Sequence, residues 1–186
     1  MRWFFNLKIT YKLLIGFMTV AVIAAIIGIG GIINIKKITN ASTQLYEDNL
    51  VGLKYAGEAV IEFQEVRANT FKLILTTDEN ERAKYVKKIN EHITATDNQL
   101  KSYEAEISNE EDRKLYSRVK NLWESFKSLL KDITNLVEAG NNEEAQELMF
   151  EKSDTVIDTL NDMFSKLFEY NTSAAEEKAN NNNRAS

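Results

Sequence analysis

The chain has 186 residues, no Pro, no Cys and a formal net charge of −5. Without Cys there is no disulfide framework, thiolate metal site or cysteine nucleophile, and without Pro nothing breaks a long helix from within. Residues 1–37 carry Arg2, Lys8, Lys12, Lys36 and Lys37 and no acid, so the remainder is strongly acidic. Such a body is a poor binder of nucleic acid, which wants clustered Lys and Arg.

Leu13 to Ile33 is an apolar run without a charged side chain. A run of about 20 residues matches the roughly 30 Å hydrocarbon core of a bilayer. It continues through Ala24-Ala25-Ile26-Ile27, beyond the about 7–15 residues of a signal peptide's apolar region, and so predicts an uncleaved anchor. Arg2, Lys8 and Lys12 precede it, with Trp3, Phe4, Phe5 and Tyr11 able to sit at headgroup level. The positive-inside rule then puts the N-terminus in the cytoplasm, a contrast that Lys36 and Lys37 reduce. The expected organisation is a cytoplasmic stub over residues 1–12 and a transmembrane helix over 13–33. An extracytoplasmic bundle over 34–178 and a frayed tail over 179–186 follow.

Beyond the span, apolar positions recur in steps of three and four, the mark of helices packed in a bundle. The first helix is expected to run straight out of the membrane, with Gly52, Ala56, Ala59, Phe63, Val66, Thr70 and Leu73 on its stripe. Small and polar residues on that stripe predict close packing without full burial. Asp78 with Glu81 reads as a capping box opening the second helix, whose stripe is Val86, Ile89, Ile93, Thr96, Leu100, Tyr103 and Ile107. Ser108 with Glu111 reads as the next box. The third helix has the strongest pattern, Leu115, Val119, Leu122, Phe126, Leu129, Ile133 and Leu136, with Tyr116, Trp123, Leu130 and Val137 beside it. Gly140 is placed to end it in a left-handed conformation. The fourth helix, capped by Asn141 or Asn142, carries Met149, Ser153, Val156, Leu160, Met163, Leu167, Tyr170 and Ala174.

Short turns between long helices make neighbours antiparallel. The predicted fold is all-α: an N-terminal transmembrane helix continuous with an up-down-up-down four-helix bundle. Four helices return the chain to the membrane, so Ser186 falls where a second span is expected.

The opening Asn6-Leu7-Lys8-Ile9 and Lys12-Leu13-Leu14-Ile15-Gly16-Phe17 resemble the start of many bacterial methyl-accepting chemotaxis receptors. Tyr46-Glu47-Asp48-Asn49-Leu50-Val51-Gly52-Leu53 resembles the membrane-proximal segment of their four-helix-bundle sensory domain. The resemblance covers essentially the whole chain. It implies a homodimeric receptor whose bundle lies outside the cytoplasmic membrane. A ligand near the membrane-distal end would shift the last helix, and a second span would carry that shift inward. The same sensor also precedes histidine kinases and cyclic-dinucleotide enzymes. A membrane-anchored structural bundle without a small ligand is a further alternative.

Arg67 shares a line with Leu53, Val60 and Ile74, so it is expected at an interface, where a guanidinium can hold a planar anion with two parallel bonds. The resemblance implies first-helix arginines that hold a ligand carboxylate, although the further arginines of that pattern are missing. The alternative for Arg67 is a salt bridge to an acidic neighbour such as Glu62 or Glu65, or to one on another helix. Lys152 lies at similar depth, and Thr70, Ser153 and Thr155 could add hydroxyl bonds. Expected partners are a small molecule, with a carboxylate foremost, or a periplasmic-type binding protein, together with the membrane and a second copy. Trp123 and Phe126 are expected in the core. His92, the only histidine, has no partner at metal-ligand spacing, and no phosphate loop or serine elbow occurs. No cofactor, metal or catalytic set is expected.

Overall fold

The computed structural model describes residues 8–45, 50–107 and 109–185, with the side chains of residues 41, 42, 44, 45, 152, 153 and 181–185 left aside. Among the described residues there are α-helices and a π-turn and no strand. The helices are α1 (Ile9–Leu45), α2 (Val51–Leu75), α3 (Glu79–Glu106), α4 (Glu110–Glu138), α5 (Asn142–Glu147) and α6 (Ser153–Ala185). The π-turn, Leu148–Lys152, joins α5 to α6. The expected block Tyr46 to Asn49 lies outside the described residues, and with it the passage from α1 into α2.

α1 stands apart from the core. Its stretch Ile9–Asn40 is long and apolar enough to cross a membrane, and its most apolar window is entirely unburied. α6 packs against it. The other helices form the bundle: α2 packs on α3 and α6, and α4 on α6 and α3.

Three turns reverse the chain, each for a local reason. Asp78 caps α3, its carboxylate accepting from the backbone N–H of Asn80 at 2.8 Å and of Glu81 at 3.1 Å. At α4 the cap is Asn109, one residue later than expected, accepting from Glu111 N–H at 3.1 Å and Asp112 N–H at 3.0 Å. Ser108 lies outside the described residues. Gly140 ends the third reversal at φ +80°, the left-handed region that penalises a Cβ. Asn141 precedes α5 without a side-chain cap, because the amide that does the fastening is Asn142. Its Nδ2 donates to Ile74 O at 2.8 Å, and its Oδ1 accepts from Arg82 Nη2 at 3.3 Å. Arg82 also donates to Thr76 O at 3.2 Å and Val137 O at 3.5 Å. One guanidinium therefore faces the carboxyl ends of α2 and α4, where backbone carbonyls lack helical partners and the dipole favours a cation.

The core centres on Phe63, which is fully buried. Its ring meets Trp123 and Phe126 edge-on at 6.1 and 5.2 Å, with Phe164 at 6.1 Å. Edge-to-face contacts at these separations favour the quadrupoles of both rings. The small residues of the α2 stripe, Gly52, Ala56 and Ala59, are buried more completely than expected. On α4 the structure corrects the stripe. Tyr116, Val119, Trp123, Phe126, Leu130, Ile133 and Val137 are buried, while Leu115, Leu122, Leu129 and Leu136 form a half-buried rim. Both lines share the same period; the wide aromatic side chains of the first take the centre. On α6, Asn171 rather than Tyr170 occupies the inner position.

Candidate functional site

Gly57, Val60, Gln64 and Arg67 follow one another at steps of three and four, which aligns them along one edge of α2. That edge faces α6. A groove of about 600 Å³ runs between the two helices, with Val60 and Gln64 on one wall and Asn161, Phe164 and Phe168 on the other. Glu169 also lines it.

A chain of side-chain bonds crosses the groove. Arg67 Nη1 donates to Gln64 Oε1 at 2.7 Å, and Gln64 Nε2 donates to Asn161 Oδ1 at 3.1 Å. The guanidinium carbon lies 5.8 Å from the centroid of the Phe63 ring, within cation–π range. Arg67 Nε is buried and has no hydrogen-bond partner. The salt bridge considered for Arg67 is not formed among the described residues. Glu62 meets His92 instead, Oε2 to Nδ1 at 2.6 Å, and Glu65 Oε2 is 3.5 Å from Asn69 Nδ2. Arg67 is therefore a cation tied to the groove wall through the neutral amide of Gln64, with its buried Nε–H unpaired. An anion seated beside it would complete charge and donors together.

The other candidates are distributed differently. Thr70 is fully buried and its hydroxyl donates to Val66 O at 2.8 Å, so it faces the core and its donor is spent on the preceding turn. Thr155 is exposed, and lies two residues from buried Ile157, about half a turn round the helix. The side chains of Lys152 and Ser153 lie outside the described residues. Of the five, Arg67 alone is brought to the groove by described atoms. Gln64 and Asn161 escaped the sequence reading. The available signal was Gln64 three residues before Arg67, since polar residues at that spacing share a helix edge.

The α3–α4 side holds a second polar set. Asp97 accepts from Trp123 Nε1 at 2.6 Å and from Lys127 Nζ at 2.9 Å. Glu104 accepts from Tyr116 Oη at 2.9 Å and Lys120 Nζ at 3.1 Å. Lys120 and Tyr116 hold the Glu104 carboxyl below the usual range. These groups satisfy one another and bind the two helices together. Among the described residues no cluster of three or more His, Asp or Glu side chains is arranged to hold a metal ion.

Residues 6–185 match the sequence family described as "Four helix bundle sensory module for signal transduction". A relative from Acetivibrio thermocellus, named "Putative sensory transducer protein", is 42% identical over 117 residues. That match covers 63% of this chain and 21% of the relative, so the chain spans about a fifth of the length of the curated relative it matches.

Proposed function

From a chain that belongs to the four-helix-bundle sensory modules of signal transduction, we propose the extracytoplasmic ligand-sensing part of a chemotaxis receptor. The bundle lies outside the cytoplasmic membrane with α1 crossing it, and the stub before α1 is cytoplasmic. A small carboxylate binds at the Arg67 edge of the α2–α6 groove, and its arrival shifts α6. The observation that carries this reading is that α6 both walls the groove and packs against α1, the helix long and apolar enough to cross a membrane. A displacement at the groove therefore has a rigid path to the bilayer.

The same receptor reading pairs the bundle with a second copy through exposed apolar side chains. Ile61, Phe150 and Phe168 are 63%, 51% and 45% exposed along α2, the π-turn and α6. Exposed apolar side chains on these elements favour pairing with a second copy.

The test is thermal unfolding of the whole chain in lipid nanodiscs against amino acids, aliphatic acids and aromatic acids. One carboxylate class should stabilise the protein, by about 2.7 kcal/mol at a hundredfold excess over Kd. Arg67→Ala should abolish that stabilisation and leave unfolding cooperative. Unchanged affinity in the variant removes Arg67 from the site. Stabilisation by none of these acids moves the reading to a binding protein or to a bundle without a small ligand.

A further inference from the structure

A buried polar chain ties three helices together at the end of the bundle where α6 approaches α1. Asn171 on α6 is 1% exposed. Its Nδ2 donates to Leu167 O at 2.8 Å, within its own helix, and to Tyr103 Oη on α3 at 2.6 Å. The Tyr103 hydroxyl has one proton, which goes to Asp112 Oδ1 on α4 at 2.5 Å. The direction of the chain is thereby fixed from Asn171 through Tyr103 to Asp112. Tyr103 is 1% exposed and its ring stacks on Tyr116 at 5.8 Å, which leaves it little room to follow a moving partner. The opposite wall is α2. A Cβ at Gly52 would stand 3.1 Å from Asn171 Oδ1 and 3.5 Å from the Tyr103 ring.

We propose that Asn171, held between Gly52 and the Tyr103–Asp112 pair, is a detent that fixes the rotational setting of α6, so that outward or inward signalling must release it. The slot is selective by size and by chemistry. A one-residue slip turns α6 by about 100° and offers either Tyr170 or Thr172. The former is too large for the space that glycine leaves. The latter already donates its hydroxyl to Phe168 O at 2.9 Å. A partial turn withdraws the amide from the buried Tyr103 hydroxyl, and a buried polar group stripped of its partner bears its full desolvation cost. The setting of α6 is consequently discrete. The proposal rests on the reading of α6 as the transmitting helix, and deepens it by naming what holds that helix at rest.

Because the chain has no Cys, cysteines introduced at the exposed Ser173 and Ser117 are the only sites for a pair of spin labels. Double electron–electron resonance on the labelled whole chain, diluted in nanodiscs with an excess of the unlabelled Cys-free chain so that a dimer carries one labelled copy, should give one narrow distance for the parent. Tyr103→Phe should split or broaden it, since the ring remains and only the hydroxyl is lost. Gly52→Ala should displace it while every bonding group stays present, which covers the case in which Tyr103→Phe fails to fold. Asp112→Asn keeps a carbonyl acceptor for Tyr103 and should leave the distance narrow. An unchanged distribution in both Tyr103→Phe and Gly52→Ala overturns the detent, leaving apolar packing to set α6. A ligand that binds without altering the parent's distance would instead count against α6 as the transmitter, and leaves the detent standing.

Discussion

Phe63 and Asp112 show how unequal two buried side chains can be. Phe63 touches three aromatic rings from two other helices, and its removal leaves a cavity at the centre of the core. Phe63→Ala should cost about 3–5 kcal/mol in denaturant unfolding, the range for deleting a buried aromatic ring. Asp112 is 4% exposed, and burial raises its carboxyl above the usual Asp value, against smaller lowering effects from Tyr103 and Arg113. The folded state therefore holds this proton at pH values where the unfolded chain has lost it. Its contribution is fully present below the ordinary Asp pKa of about 4 and declines as pH rises through the raised folded value. Glu104 has the opposite sign, so the parent's own profile mixes the two. The difference between parent and Asp112→Asn isolates Asp112: the variant should gain on the parent as pH rises from about 4 towards neutrality. A flat difference would mean that Asp112 titrates normally.

At the level of the helices, much of the fold was legible because the cues are local. Asp78 fixes the start of α3, although the Glu81 side chain meets Lys84 and the Asp78 N–H donates to Thr76 Oγ1 instead of closing the expected box, and Gly140 fixes the end of α4. The α4 cap was misjudged by one residue because Ser108 and Asn109 are both good cap residues, and their competition is settled by where the chain turns. Asn109→Ala should cost about 1 kcal/mol, measured by chemical denaturation. The choice between the Leu115 and Tyr116 lines of α4 could not be read from period alone. Either line makes an amphipathic helix, and only the facing Phe63 ring decides which one is central. The cross-helix bonds of Gln64, Arg82 and Asn171 were likewise hidden. Each joins residues far apart in sequence, and nothing in the spacing along one helix identifies a partner on another.

Across the whole molecule, the two ends of the bundle are fastened by different means. At the end with the α2–α3 and α4–α5 turns, Arg82 and Asn142 gather backbone carbonyls of two helices. At the end near α1, side chains bond to side chains. A backbone carbonyl lies close to the helix axis and moves less than a side-chain tip when the helix turns, so the first end tolerates rotation better than the second. The groove with Arg67 lies between them. The π-turn at Leu148–Lys152 adds one more property, which concerns the length of the chain. A π-turn holds one residue more than the α-helix it interrupts. Removing a single residue from 148–152 should let α5 and α6 join as one helix, with Asn161 and Asn171 keeping their neighbours and the melting temperature little changed. The same removal within 162–166 turns everything after it by about 100° and should unfold the end near α1. The last helix thus carries its spare residue in one place, and the loss of one amino acid there is a length change this bundle can absorb.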